Sequence, residues 1–305
     1  MRPVSRYAAA ALAAFAISQL AWLPAWAAPA TARAAPATAR AAPATAGPTA
    51  PAGVIADASD LVNARTGARL WSRDLNAERP IASITKVMTA LVVIDAGTLT
   101  RKIRVTRAAE EYGRAYGPSE AGLHPGDILT TRQLLEAMLL PSASDAAYLL
   151  ARTYGPGWPA FVRKMNATAR RLGMTRTHFA NFDGLPWPTE YSTYSTPRDL
   201  IRLGTAAMKL PAFRQIVAQR SHLIRAAASH HRYFWRNTDL LLGSYRGAIG
   251  IKTGFTNGAG YCLLFEARRG RTDLMGVVLG STGTEPGIRF TAAARLLNWG
   301  FAASG

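Results

Sequence analysis

The spacing of apolar residues changes twice along the chain, from strand-like to helical and back. Residues 54–60 and 68–72 are short apolar-rich runs joined by Asn63-Ala-Arg-Thr-Gly67, which predicts a hairpin with Gly67 in its turn. From Ser83 onward, apolar side chains at 84, 87, 88, 91, 92 and 94 recur at helical spacing until Gly97 stops them. Residues 130–140, 145–154 and 158–172 predict three more helices; Pro141 separates the first two and Gly173 ends the third. A polar and aromatic loop fills 174–196, and a helix resumes over 197–209 with Pro197 at a favourable first position. Short strands then follow at 248–253, 260–267 and 273–280, and a last helix spans 288–301. Strands at both ends with helices between predict an α+β domain. Its N- and C-terminal strands should share one antiparallel sheet packed against a helical middle region.

The first 52 residues break this pattern. In residues 1–27, Arg2 and Arg6 precede an apolar run from Ala8 to Leu23, and Ala25-Trp26-Ala27 follows, the layout of a cleavable export signal. The run holds Ser18 and Gln19 and is shorter than the roughly twenty residues a membrane span needs, so export is favoured over an uncleaved anchor. Residues 28–34 and 35–41 repeat Ala-Pro-Ala-Thr-Ala-Arg-Ala, and 42–46 repeat it in part. No large apolar side chain there offsets the entropy of ordering, so 28–52 read as a linker and 53–305 as the folded domain. About 250 residues are enough to bury a substantial core.

Charge and cysteine narrow the function. The formal net charge is +18, and losing Arg2 and Arg6 with the leader would leave +16, a surface suited to anionic polymers. No nucleic-acid-binding motif accompanies it, so an exported chain is expected to meet cell-wall polymer or anionic lipid and no nucleic acid. Cys262 is the only cysteine; it excludes an internal disulfide and, within Gly260-Tyr-Cys-Leu-Leu-Phe-Glu-Ala267, reads as a small apolar strand residue. The five histidines form no metal-ligand pattern, and no cofactor or metal is expected. Only five of the 36 basic residues are lysines, at 86, 102, 164, 209 and 252. Lysine can release its proton where arginine effectively does not, so these positions stand out.

Ser83 and Lys86 lie three apart at a helix start, and their side chains share one face. A serine hydroxyl becomes a nucleophile when a base takes its proton, and a lysine serves as that base when burial or nearby cations lower its pKa. Alone, the pair reads more readily as a capping serine and a surface lysine. Lys252-Thr253-Gly254 sits on a predicted strand, where glycine leaves backbone open to a ligand. Ser142-Ala143-Ser144 sits between two predicted helices, where serine is also an ordinary cap.

Taken together, in this order, Ser-x-x-Lys, a serine-led triplet and Lys-Thr-Gly are the motif set of penicillin-recognising serine enzymes. The chain resembles the D-alanyl-D-alanine carboxypeptidase family, the low-molecular-weight penicillin-binding proteins. The resemblance extends to blocks such as "LHPGDILTTRQLLEAMLLPSASDAAYLLA" and "GIKTGFTNGAGYCLLFEA" and covers roughly 54–300. It implies a β-lactamase/transpeptidase-like fold and an acyl-enzyme on Ser83, with Lys86 as base and Ser142 as proton relay. It further implies that Lys252, Thr253 and Gly254 receive the substrate's terminal carboxylate end, and that the backbone N–H groups of Ser83 and Phe255 form the oxyanion hole. The implied substrates are peptidoglycan stem peptides ending in D-Ala-D-Ala, with β-lactams as covalent inhibitors.

Two departures qualify the match. The triplet's third residue, usually asparagine, is Ser144, a shorter group with a single donor. Longer members carry a C-terminal β-rich domain and amphipathic anchor, and neither follows Gly305, so no C-terminal membrane anchor is expected. The expected location is the periplasmic or extracellular wall space. Two readings stand beside the carboxypeptidase: an endopeptidase cutting D-Ala cross-links by the same chemistry, and a catalytically weak wall-binding homologue. A β-lactamase is disfavoured, because no Glu-x-x-Leu-Asn-like stretch after 145 would position a deacylating water.

Overall fold

The computed structural model describes residues 50–116, 119–283 and 285–304. The expected export signal, and all but residues 50–52 of the expected linker, lie outside the described residues.

Strand β1 (Ala58–Asn63) turns through Gly67, whose φ of +76° suits glycine, and returns as β2 (Arg69–Arg73). After the two-residue β3 (Arg79–Pro80), a 3-10 turn at Ala82–Ile84 runs directly into α1 (Thr85–Asp95). Strand β4 (Lys102–Arg104), α2 (Arg107–Tyr116) and β5 (Ile128–Thr130) lead to α3 (Thr131–Leu139), α4 (Ser144–Tyr154) and α5 (Trp158–Arg171). Strand β6 (Tyr194–Ser195), α6 (Pro197–Met208) and α7 (Pro211–Val217) complete the helical middle. A hairpin, β7 (Ser221–Ile224) and β8 (Tyr233–Arg236), and the single turn α8 (Leu241–Ser244) come next. Strands β9 (Ala248–Thr256), β10 (Gly260–Arg269) and β11 (Thr272–Ser281) then precede α9 (Ile288–Ala303).

The five long strands form one antiparallel sheet in the order β2-β1-β11-β10-β9. The first strand therefore pairs with the last, Ala58 opposite Leu279, as the strand placement predicts. Alternate side chains leave opposite faces of a strand, and here both faces are covered. On β10, Leu263 and Phe265 pack with Phe290, Leu296 and Leu297 of α9. Cys262 and Leu264 join the larger core built with α1, α3, α4, α5 and α6. Double coverage explains why this strand reads as a continuous apolar run. Gly276 pairs with Phe265, and a Cβ there would come within 2.3 Å of the ring, so the glycine clears space for the aromatic side chain.

Several elements carry their own start signals. Thr130 and Gln133 make a reciprocal capping box on α3, and Thr196 caps α6 by accepting from the Asp199 N–H. Helix α2 was not anticipated; only Ala109 and Gly113 of its residues are buried, so it leaves no apolar stripe in the sequence. The β7–β8 hairpin was also missed, because its inward face mixes His222 with Trp235.

Replacing Phe265 with alanine removes a fully buried ring between sheet and α9 and should cost about 3–5 kcal/mol. Urea unfolding of the variant beside the parent checks this; a loss under about 1 kcal/mol would show that the two layers repack around the gap.

Candidate active site

Ser83 occupies the middle of the 3-10 turn before α1, so the helix begins two residues after the serine. Lys86, in the first turn of α1, is fully buried, and its Nζ donates to Ser83 Oγ at 3.0 Å and to the Asp183 carbonyl at 2.9 Å. Burial lowers the Lys86 pKa to about 8, against the pull of the Asp183 and Asp145 carboxylates, which raise it. The amine is thus poised to exchange a proton near neutral pH, as a general base for a serine requires.

The segment 181–185 builds the floor of this pair. Thr89, one turn beyond Lys86, donates to the Phe182 carbonyl at 2.5 Å, so successive carbonyls of the segment receive successive turns of α1. Asn181 Oδ1 accepts from the Gly184 N–H at 2.7 Å, and Asp183 Oδ1 accepts from the Leu185 N–H. Gly184 has φ of +81°, and a Cβ there would lie 1.9 Å from the Ala82 carbonyl oxygen. Glycine alone permits that approach, and Ala82 itself is held at φ of +46°, an uncommon backbone for a residue with a Cβ. The Asp183 carboxylate accepts from Tyr112 Oη at 2.9 Å, and Trp187 Nε1 donates to the same hydroxyl. Burial, with the Asp183 charge beside it, raises the Tyr112 pKa, so the phenol remains a donor. None of Tyr112, Asp183 or Gly184 carried a motif signal in the sequence.

Ser142 and Ser144 lie in the turn between α3 and α4. Neither caps α4: its N-cap is Ala143, with no side-chain cap bond, and Ser144 is the first helical residue. The ordinary reading of this stretch as a serine cap is therefore not what the fold uses. Ser142 is held at φ of +69° and is 6% exposed, with no hydrogen bond to Ser83 or Lys86 in this resting arrangement. Ser144 is 1% exposed, its N–H donates to the Ser119 carbonyl, and its Oγ has no hydrogen-bond partner among the described residues. Asp145 fixes the turn instead, accepting from the Ala121, Leu123 and Ala146 N–H groups; burial still raises its pKa.

Strand β9 forms the sheet edge and carries the third motif. Half the backbone groups of an edge strand are free to pair with an extended peptide. Gly254 lies against the nucleophile turn: a Cβ would sit 2.8 Å from the Ile81 carbonyl oxygen and 3.2 Å from the Ser83 nitrogen. The glycine thus brings Ser83 and Phe255, its neighbour on the strand, into proximity. Phe255 is half exposed and stacks on Tyr261 at 4.5 Å. Thr253 Oγ1 hydrogen-bonds Thr238 Oγ1 at 2.7 Å, while Lys252 Nζ donates to the Thr253 carbonyl at 3.2 Å.

Lys252 is fully buried, and its pKa falls well below the usual lysine value through burial first, then the positive charges of Lys86 and Arg289; Asp239 opposes them. Burial thus disfavours the charged form of this amine, and Asp239 is the nearby carboxylate that favours it. Arg289, which no motif signalled, donates to the Gly254 carbonyl at 2.8 Å and lies over the Tyr261 ring. Asp239, 3% exposed with Oδ2 unpaired, has its pKa raised to about 6 by burial. Cys262 is buried on β10 with its pKa raised to about 11 by burial, an inert packing residue as expected.

The sheet order, the helical middle and the convergence of α1, the α3–α4 turn and β9 define a D,D-transpeptidase-type fold. The family model described as D-alanyl-D-alanine carboxypeptidase matches residues 44–283, and the chain belongs to that family of serine hydrolases. The crystal structure of the Streptomyces K15 DD-transpeptidase is 38% identical with a TM-score of 0.77, covering 82% of this chain and 98% of that one. A D-alanyl-D-alanine carboxypeptidase of Streptomyces sp. (strain K15) is 40% identical over 253 residues, 79% of this chain and 85% of that protein. A D-alanyl-D-alanine endopeptidase of Escherichia coli (strain K12) is 32% identical over 255 residues, 81% of this chain and 77% of that protein.

The Lys86 environment fixes a pH response. If Lys86 must be neutral to accept the Ser83 proton, acylation by a penicillin rises with pH and reaches half its plateau near pH 8. Asp183→Asn removes a carboxylate that favours the ammonium, so the rising limb moves to lower pH. Stopped-flow acylation of both proteins across pH 5–10 reads the shift; movement to higher pH would reverse the assigned sign.

Proposed function

We propose that the chain removes the terminal D-alanine from exported peptidoglycan stem peptides through an acyl-enzyme on Ser83. The observation that carries this reading is the buried Lys86 amine 3.0 Å from Ser83 Oγ. Neutral Lys86 takes the Ser83 proton as Oγ attacks the carbonyl of the D-Ala-D-Ala bond. The developing oxyanion is received by the Ser83 and Phe255 N–H groups, a contact whose loss typically costs on the order of a hundredfold or more in rate. The C–N bond then breaks, and the departing amine takes the proton by way of Ser142. Water cleaves the remaining ester, restoring Ser83 and releasing the shortened peptide as a carboxylic acid.

The leaving residue's carboxylate is assigned to Thr253 and Lys252, with Gly254 keeping the strand edge clear for it. Binding there adds a second anion beside Asp239 and so favours the charged form of Lys252. β-Lactams acylate Ser83 as mimics of the same substrate. Ser144 stands where the family's substrate-orienting asparagine is expected and is assigned to substrate binding in its place. The site of action is the wall space outside the membrane. Among the described residues, no helix is long and apolar enough to cross a membrane.

Incubation with a purified pentapeptide ending in D-Ala-D-Ala should remove the mass of one alanine residue. A fluorescent penicillin should label the parent protein covalently and leave Ser83→Ala unlabelled. A folded parent protein that takes no label and trims no peptide would favour the wall-binding reading instead.

A further inference from the structure

The polar and aromatic loop over 174–196 carries no motif, yet it places one carboxylate on the motif strand. Glu190 Oε2 accepts from Thr256 Oγ1 at 3.0 Å, and the same hydroxyl accepts from the Ala259 N–H at 3.1 Å in the turn between β9 and β10. The single hydroxyl proton is therefore committed to the carboxylate. Gly258 leaves the room: a Cβ there would lie 2.7 Å from Glu190 Oε2. Glu190 is half-buried. Asp57, Asp60, Glu78 and Asp273 each pair with an arginine in this basic chain. Among the described residues Glu190 has no cation, and its Oε1 accepts no hydrogen bond.

The position of Glu190 relative to a bound peptide follows from strand register. Thr256 is the residue after Phe255 on β9, the edge of the sheet. On the reading of the site given above, the scissile carbonyl accepts from the Phe255 N–H, and the leaving carboxylate lies at Thr253. These two points orient a peptide added to this edge: it runs antiparallel to β9, with the fourth stem residue, which owns the scissile carbonyl, opposite Phe255. The third residue then stands opposite Thr256. Directly opposed residues of an antiparallel pair project from the same face, with Cβ atoms about 4.5–5.5 Å apart. The third side chain therefore starts beside Thr256, whose hydroxyl holds Glu190.

We propose that Glu190 sets specificity at the third position of the stem peptide, receiving the side-chain ammonium of a diamino acid there. The ammonium donates to Oε1 while Oε2 stays with Thr256, and the aliphatic stem of the same side chain lies along β9. An amine that has been acylated keeps its length and loses its charge, so such a stem binds more weakly. Glu190 touches the substrate away from the reacting bond and takes no part in the proton transfers. This inference rests on the acyl-enzyme reading of Ser83 and on the oxyanion hole assigned with it.

The test uses two pentapeptides ending in D-Ala-D-Ala that differ only at the third residue, lysine in one and Nε-acetyl-lysine in the other. The full chain, Glu190→Gln and Glu190→Lys are each assayed for D-alanine release, and the readout is the ratio of kcat/KM for the free amine over the acetylated one. The parent should favour the free amine by about fivefold, the size of a good partly exposed ion pair. Glu190→Gln should bring the ratio to about one, and Glu190→Lys should invert it. The inference is overturned if the parent trims both peptides equally, or if Glu190→Gln slows both by the same factor and leaves the ratio unchanged, the result of a purely structural role. Failure of the Ser83 reading looks different: the parent would then take no penicillin label and trim neither peptide.

Discussion

The arrangement depends on burying one lysine amine. Lys86 has no exposed surface, and its Nζ has two partners, the Ser83 hydroxyl it serves and the Asp183 carbonyl that steadies it. Its pKa in the fold, about 8, lies below the unfolded value near 10.4, so the depressed group stabilises fully only above that unfolded value. As pH falls toward 8 this stability is lost, and at neutral pH the buried ammonium costs the fold about 3 kcal/mol. The protein accepts that cost because the same burial makes the amine a usable base. The surrounding features serve this burial: Gly184 closes under Ala82, Thr89 ties down the Phe182 carbonyl, and Tyr112 with Trp187 clamps the Asp183 carboxylate.

Around this amine the site holds an uneven set of buried charges. Lys86 and Arg289 oppose the charge of Lys252 and Asp239 favours it, while Asp183 and Asp145 favour the charge of Lys86. Lys252 bears the largest share of the imbalance, being fully buried next to two other cations. An anionic ligand completes the set, since a carboxylate at Thr253 would favour the charged form of Lys252. The same logic accounts for the glycine of the third motif: Gly254 allows β9 to approach the Ser83 backbone, so that the cations and the nucleophile address one ligand.

The sheet and most helices were legible because their residues alternate or recur with the period of the element they form. Residues 260–267 gave β10 directly, and the recurrence after Ser83 gave α1 to within a turn. The three motifs were legible as residue patterns, and the fold brings Lys86 to Ser83 and Gly254 against the Ser83 backbone. What escaped were groups whose roles arise only from folding. Asp183 and Tyr112 are 71 residues apart and meet through one hydrogen bond, and Arg289 reaches Gly254 from the last helix. The positive φ at Ala82 and Ser142 was equally invisible, since neither residue type announces it.

Lys86 is a buried amine whose proton is released near pH 8. The direct measurement is a titration of its side-chain nitrogen by NMR on selectively labelled protein, with Lys86→Arg used to assign the signal. The expected midpoint lies close to pH 8. A midpoint near the ordinary lysine value, about 10.4, would contradict it, because such an amine would stay charged and be unable to take the Ser83 proton.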